Sequence, residues 1–117
     1  MIELTKAEEQ VMQLLWRLES AFVKEVVAEF PDPKPAYNTV STIIRILEKK
    51  KCVGHESFGR TYRYHPLITK EDYLKQETGN MVSRYFNGST EQLVSYFVKE
   101  KKLSVEELEE ILKTLKK

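Results

Sequence analysis

The sequence predicts a mostly α-helical fold with one small β-hairpin. Apolar residues recur at helical spacing in several segments, most regularly from Val40 to Leu47. The period then changes to two, where Tyr62 and Tyr64 alternate with polar residues. The chain has 117 residues, of which 41% are hydrophobic and 32% are charged, a composition typical of folded domains rather than of disordered chains.

The first helix is predicted to begin at a capping box and to reach about Leu18. Thr5 can accept a hydrogen bond from a backbone N–H of the first turn, and Glu8 can reach back to the cap. A second, shorter helix is predicted from the apolar stripe Val23, Val26, Val27 and Phe30. The prolines that follow this stripe indicate its end, since proline cannot continue a helix.

The third helix is predicted in the stretch NTVSTIIRILEKKK, with Asn38 as its N-cap. One face is expected to be buried, because its apolar residues have the spacing i, i+3, i+4, i+7: Val40, Ile43, Ile44 and Leu47. A second face must point outward and carries Asn38, Ser41, Thr42, Arg45 and Lys49. The segments on either side of Phe58-Gly59 then form the predicted hairpin, with the glycine allowing a tight turn.

Three short helices followed by a two-stranded hairpin is the element order of a winged helix-turn-helix, in which the third helix enters the DNA major groove. The charge distribution agrees with this interpretation. The net charge is only +1, but residues 34–65 hold seven Lys or Arg against two Glu and so carry +5. A local basic excess is expected of a polyanion site, although it is also common on solvated surfaces.

The rest of the chain, residues 71–117, is predicted to be a helical dimerisation region. Asn87-Gly88 interrupts it, and Ser89 and Ser104 are predicted to cap two of its helices. Such short, aromatic-rich helices bury too little surface to be stable alone, and pairing with a second copy is the commonest solution. Folding back onto residues 1–70 is the alternative. The expected interface residues are Tyr85, Phe86, Leu93, Phe97, Leu108, Ile111, Leu112 and Leu115.

Four segments resemble the penicillinase repressor family (BlaI/MecI/CopY) of bacterial winged-helix repressors. They are LTKAEEQVMQLLW, YNTVSTIIRILEKK, GRTYRYHP and LVSYFVKEKKLSVEELEEI, in the order and at the spacing of the family. The resemblance implies a transcriptional repressor that binds a palindromic operator in double-stranded DNA as a homodimer. It also implies that residues 1–70 bind DNA and that residues 71–117 dimerise.

The residues expected to contact DNA are Asn38, Thr39, Ser41, Thr42, Arg45, Lys49, Lys50 and Arg60. Arg45 is the candidate for a bidentate guanine contact, and the short hydroxyl side chains suit the backbone or a base edge. Lys49 and Lys50 suit phosphates, and Arg60 at the hairpin turn resembles the family's wing contact. For each residue taken singly, the alternative is an ordinary solvated side chain.

The third helix departs from the family pattern at two positions. Many members have arginine where this chain has Ile46, and the arginine here lies one residue earlier, at Arg45. That shift turns the side chain by roughly 100° around the helix, so an operator sequence does not transfer. The family's usual glycine after the paired lysines is Lys51 here, which leaves the closure of this helix end open.

Regulation is inferred from the resemblance alone. In β-lactam-responsive members, a membrane sensor with a metalloprotease domain leads to cleavage of an Asn-Phe bond in the dimer region. The matching position is Tyr96-Phe97, which keeps the phenylalanine but not the asparagine. The resemblance implies the same inactivation and a part in β-lactam resistance regulation, with a different protease or no cleavage as alternatives.

Other activities find little support in the sequence. The chain has no Gly-rich phosphate loop and no recognisable catalytic frame, so we expect no enzyme activity and no cofactor. Its cysteine-free tail argues against copper sensing by thiolates, and two isolated histidines do not suggest a metal site. With one cysteine, no long apolar run and an acidic N-terminus, a cytoplasmic protein without membrane insertion is expected. A winged-helix protein-interaction module remains the alternative function.

Overall fold

The computed structural model describes residues 2–100, 104, 106, 107, 109, 110 and 113. Its helices are α1 (Lys6–Leu18), α2 (Val23–Glu29), α3 (Tyr37–Lys49), α4 (Lys70–Tyr85) and α5 (Thr90–Glu100). Its strands are β1 (Ala21–Phe22), β2 (Val53–Phe58) and β3 (Thr61–Pro66). The chain forms two compact units, Met1–Leu74 and Lys75–Lys117, so the division lies within α4, whereas the sequence interpretation placed it after residue 70.

Helix α1 begins as the sequence predicts. The backbone N–H of Glu8 donates to the Thr5 hydroxyl at 3.2 Å, and the Glu8 carboxylate accepts from the Thr5 N–H at 2.9 Å. This capping box satisfies backbone groups that the first turn of a helix leaves without partners. The helix ends at Leu18, as expected.

The core of the first unit lies between its three N-terminal helices and a three-stranded antiparallel sheet of order β1-β3-β2. It is built from the apolar faces of these elements: Val11, Met12, Leu15, Ala21, Val23, Val26, Val40, Ile44, Leu47, Cys52, Val53 and Tyr64. The predicted apolar stripes of α2 and α3 contribute as expected, with Ile43 partly buried beside the core. Strand β1 was not predicted; it pairs Ala21 with Tyr64 and Phe22 with Arg63.

The hairpin forms at the predicted place. Strands β2 and β3 pair from Val53–Pro66 to Phe58–Thr61, which leaves Gly59 and Arg60 as the two turn residues. Gly59 has a φ of +62°, a conformation that glycine adopts without steric cost and that two-residue hairpin turns require. Arg60 therefore lies at the tip of the wing.

The prediction that Asn38 caps α3 was wrong. The helix begins at Tyr37, with Ala36 as its N-cap and no side-chain capping bond. Asn38 instead lies in the first helical turn, and its carbonyl accepts a hydrogen bond from the Thr42 hydroxyl at 2.9 Å. The start of α3 is thus stabilised by packing of its apolar face rather than by a polar cap.

The other end of α3 closes in a Schellman motif although no glycine is present. The N–H of Cys52 donates to the Leu47 carbonyl at 2.9 Å, and that of Lys51 donates to the Glu48 carbonyl at 3.0 Å. Lys51 takes the left-handed conformation, with a φ of +66°. A side chain with a Cβ is strained there, because the Cβ approaches the following carbonyl oxygen.

The described part of the second unit is helical, as predicted. Asn87 and Gly88 both have positive φ, of 50° and 80°, and end α4. The Ser89 hydroxyl accepts from the Gln92 N–H at 3.2 Å and so caps α5, as expected. Ser104 likewise accepts from the Glu107 N–H at 3.1 Å. The mostly helical fold with a small hairpin is therefore confirmed.

Candidate nucleic-acid interface

One face of α3 is directed away from the core and is rich in groups that can contact a nucleic acid. Val40, Ile44 and Leu47 are fully buried on the opposite face, so the orientation of the helix is fixed. The outward residues are exposed, except for the partly buried Ser41: Asn38, Thr39, Ser41, Thr42, Arg45, Ile46 and Lys49. Apart from Ile46, this set holds every DNA contact predicted in the third helix except Lys50, which is the C-cap of α3, so one rigid helix presents these side chains together.

The basic side chains of residues 34–65 separate into two groups. Lys34 donates to the carbonyls at the end of α2, and the Arg63 guanidinium lies 5.9 Å from the centre of the Phe22 ring, which suits a cation–π contact. In contrast, the cationic groups of Arg45, Lys49, Lys51 and Arg60 make no hydrogen bond, salt bridge or ring contact with any residue that the structure describes. The cationic groups of this second set are therefore free to contact a partner.

Lys50 belongs to the first group, although the sequence placed it among the DNA contacts. Its ammonium donates to both carboxylate oxygens of Glu8, at 2.6 and 3.1 Å, and to the carbonyl of Glu3 at 2.9 Å. The Glu8 side chain is only 6% exposed and that of Lys50 is 36% exposed. Sequence patterns could not reveal this pair, because its members are 42 residues apart.

The pair sets the ionisation of Glu8. Burial by itself raises the pKa of this carboxyl, but its hydrogen bonds and charge interaction with Lys50, together with bonds from Thr5, outweigh burial. The net pKa of Glu8 is lowered from its ordinary value of 4.5. The ion pair therefore favours the folded state at neutral pH.

A groove of about 630 Å³ separates α3 from the hairpin. Arg45 lines it from the helix and Arg60 from the turn, so the two predicted DNA contacts face a common space. Tyr37, Tyr62 and Lys24 also line the groove and were missed by the sequence reasoning. In the sequence these residues are marked only by their closeness to a predicted helix start or turn. That position does not predict which way a side chain points.

Contacts behind the groove fix the hairpin against α3. The Nδ1 atom of His55 on β2 is paired with the Glu48 carboxylate, and its ring lies 4.3 Å from that of Tyr62. Tyr64 is buried beneath them, and burial raises the pKa of its phenol. Both histidines lie in the hairpin, His55 on β2 and His65 on β3.

The predicted dimer residues that can be described lie in the second unit. Tyr85 is 71% exposed, Phe97 is exposed, and Phe86 and Leu93 are half-buried. None of the residues of α5, all of which the structure describes, is buried. The other four predicted interface residues lie outside the described part of the chain: Leu108, Ile111, Leu112 and Leu115.

Comparison with known proteins identifies the family. Residues 4–117 match the sequence profile of the family described as "Penicillinase repressor". This chain belongs to the penicillinase repressor family. Members of this family are transcriptional regulators and not enzymes, so the expected absence of enzyme activity follows from the family.

Individual relatives support the assignment. A "Penicillinase repressor" of Bacillus licheniformis is 29% identical over 97% of this chain and 89% of the relative. A protein of the same name from Staphylococcus aureus is 31% identical over 94% and 88%. The "Methicillin resistance regulatory protein MecI" of Staphylococcus aureus (strain N315) is 27% identical over 98% and 94%.

A solved structure supports the predicted architecture. The solution structure of the DNA-binding domain of the repressor BlaI matches with a TM-score of 0.54 and 30% identity, over 61% of this chain and 88% of that domain. The winged helix is thereby confirmed. In the part of the chain that the structure describes, no helix is long and apolar enough to cross a membrane, and no group of three potential metal ligands is present.

Proposed function

We propose that this protein is a cytoplasmic transcriptional repressor that binds a palindromic operator in double-stranded DNA as a homodimer. The observation that carries the proposal is the outward face of α3, where Arg45 and Lys49 have no acidic partner within ion-pair distance among the described residues. An uncompensated basic face on a rigid helix of winged-helix architecture suits the major groove.

Each predicted contact has a distinct role in the proposed complex. Arg45 reads a guanine through two parallel hydrogen bonds, while Lys49 and the wing residue Arg60 neutralise phosphates. The polar side chains of the α3 face position the helix on the backbone or contact base edges: Asn38, Thr39, Ser41 and Thr42. We assign Lys50 a supporting role instead, since its ammonium is held by Glu8.

Dimerisation is supported by the apolar side chains of the second unit. Large side chains such as Tyr85, Tyr96 and Phe97 are exposed on α4 and α5. Burial against a second copy removes this surface from water, and a two-fold axis then makes the operator palindromic. We propose that Tyr85, Phe86, Leu93 and Phe97 lie in this interface, continued by the predicted residues beyond Glu100.

We further propose that cleavage at Tyr96-Phe97 relieves repression, through a membrane sensor with a metalloprotease domain, in the regulation of β-lactam resistance. Support comes from the named relatives, a penicillinase repressor and a methicillin resistance regulatory protein. Both residues are exposed on α5 in the single chain, so access to the bond requires Phe97 to leave the proposed interface. A cut there divides α5 itself (Thr90–Glu100), whereas the core of the first unit lies entirely before residue 75.

Arg45→Ala and Lys49→Ala test the proposed division of roles. Fluorescence anisotropy would measure binding to labelled DNA from the gene's own upstream region and to a scrambled duplex, at two salt concentrations. Arg45→Ala should weaken specific binding by roughly 1–3 kcal/mol and leave scrambled DNA nearly unaffected. Lys49→Ala should weaken both and reduce the salt slope by about one unit.

The same titration can contradict the proposal. Equal losses on both duplexes for Arg45→Ala would make Arg45 a phosphate contact. If the wild type bound both duplexes weakly and equally, and a library of random duplexes yielded no preferred sequence, the winged helix would instead serve a protein partner.

A further inference from the structure

An apolar side chain lies within the polar outward face of α3. Ile46 is 41% exposed, although the aliphatic side chains Val40, Ile44 and Leu47 on the same helix are fully buried. The core is complete without Ile46, since it is not among the residues packed there. A single exposed apolar residue is ordinary on a protein surface, so its neighbours decide whether it has a role.

The neighbours of Ile46 on the helix surface are mixed: Lys49, three residues later, carries a free ammonium group, whereas Thr42 extends the apolar surface. Thr42 lies four residues earlier, which places its side chain beside Ile46 on the helix surface. The Thr42 hydroxyl donates its proton to the Asn38 carbonyl at 2.9 Å, so the side chain offers a partner its methyl group and an acceptor. Lys50, four residues after Ile46, has its ammonium held by Glu8.

We propose that Ile46, assisted by the methyl group of Thr42, reads the C5-methyl group of a thymine in each operator half-site. This inference rests on the proposed function and specifies what the α3 face recognises. Thymine alone among the four bases presents a methyl group in the major groove. Contact between that methyl and Ile46 removes apolar surface of both partners from water.

The same side chain also discriminates against the other bases. Purines present acceptors in the major groove and cytosine presents an amino donor. An aliphatic group placed against such a polar edge displaces water without supplying a hydrogen bond, which is unfavourable. Because Ile46 follows Arg45 directly and helical residues rise only about 1.5 Å each, the thymine is expected within about two base pairs of the guanine that Arg45 reads.

The test removes only the methyl group. A preferred duplex is first selected from a random library by the wild-type protein, and each thymine is then replaced by deoxyuridine. At one thymine in each half-site, deoxyuridine should weaken wild-type binding by about fourfold, measured by anisotropy. Ile46→Ala should bind the thymine duplex more weakly and show no further loss on the deoxyuridine duplex. This non-additivity would demonstrate contact.

Leu67→Ala is the matched control, since Leu67 is an exposed aliphatic residue outside α3. It should retain the full deoxyuridine effect. Ile46→Ala should remain folded, because the residue is exposed and alanine favours helix, and circular dichroism checks this.

Two results would overturn the inference about Ile46 without affecting the proposed function. One is that no deoxyuridine near the guanine weakens binding. The other is that deoxyuridine weakens the binding of wild type and of Ile46→Ala by the same factor. In both cases a preferred sequence would still exist, and the repressor proposal would stand. If the library yielded no preferred sequence, the proposed function would fail and this inference with it.

Discussion

The two compact units use their apolar side chains differently. In Met1–Leu74, the helices and the sheet enclose a core in which large side chains such as Met12 and Leu15 are fully buried. In Lys75–Lys117, the described apolar side chains are exposed or half-buried, and α5 has no buried residue. The first unit therefore has a stabilising core of its own. In the second unit, the largest apolar side chains of the described helices remain exposed to water.

Because of this difference, the free energy of unfolding of the first unit and the association of the second should depend differently on protein concentration. Burial within one chain contributes the same free energy at every concentration, whereas burial between two chains follows mass action. If the second unit dimerises, changes in its apolar face should alter association. Changes inside the first unit should alter unfolding at any concentration.

The largest effect is expected from Phe97→Asp. A carboxylate in a buried interface is left without a partner, so the dimer should weaken by about 2–4 kcal/mol, on the order of a hundredfold in its dissociation constant. Sedimentation over a dilution series would measure the shift toward monomer. Ser95→Asp, on the opposite side of α5, is the control and should leave the dimer nearly intact. If Phe97→Asp also left it intact, the proposed interface would be wrong.

An intermediate effect is expected from Glu8→Gln, inside the first unit. Loss of the charged pair with Lys50 should destabilise the fold by about 1–3 kcal/mol at neutral pH, measured by urea unfolding. Because folding lowers the pKa of Glu8, the wild-type contribution is present above pH 4.5 and is lost as pH falls through the folded value. The two proteins should therefore converge in acid.

Glu56→Gln is the control for that comparison, since Glu56 is an exposed carboxylate on β2. It should leave the free energy of unfolding unchanged within about 0.5 kcal/mol, both at neutral pH and in acid. A Glu8→Gln deficit that persisted undiminished in acid would assign the loss to packing rather than to charge.

The smallest effect is expected from Lys51→Gly. Glycine relieves the strain of a φ of +66° but makes the unfolded chain more flexible, so the net gain should be about 0.5–1 kcal/mol. The same change at Lys49, inside α3, should instead destabilise by up to about 1 kcal/mol. Thermal melts at two protein concentrations would show whether both changes act within one chain. The diagnostic result is a rise in the free energy of unfolding for Lys51→Gly and a fall for Lys49→Gly.

Much of the fold could be predicted because its signals are local. The Thr5–Glu8 capping box lies within one turn, and Gly59 marks a turn of two residues. The outward face of α3 followed from helical period alone, once Val40, Ile44 and Leu47 defined the buried side. Locating the candidate interface needed little more than this spacing and the charge of residues 34–65.

The errors and omissions have a common cause in distant contacts. Strand β1 has only two residues, too few for a period, and exists because β3 pairs with it. Asn38 has a good capping side chain, yet the N-cap is Ala36 and the packing of α3 starts the helix two residues earlier than a cap at Asn38 would, at Tyr37. In the sequence, Lys50 cannot be distinguished from its basic neighbours, because its partner Glu8 lies on another helix.

By itself, the sequence determined every element except β1, the family resemblance and the outward face of α3, since these depend on neighbours within a few positions. Only the tertiary structure decided which charges remain available, because ion pairing depends on groups far apart in the chain. It placed Lys50 against Glu8, put Arg45 and Arg60 on one groove, and left Ile46 exposed on the outward face of α3. The fold sets which side chains are buried and which are paired. It therefore decides which basic side chains of residues 34–65 remain on the surface without an acidic partner.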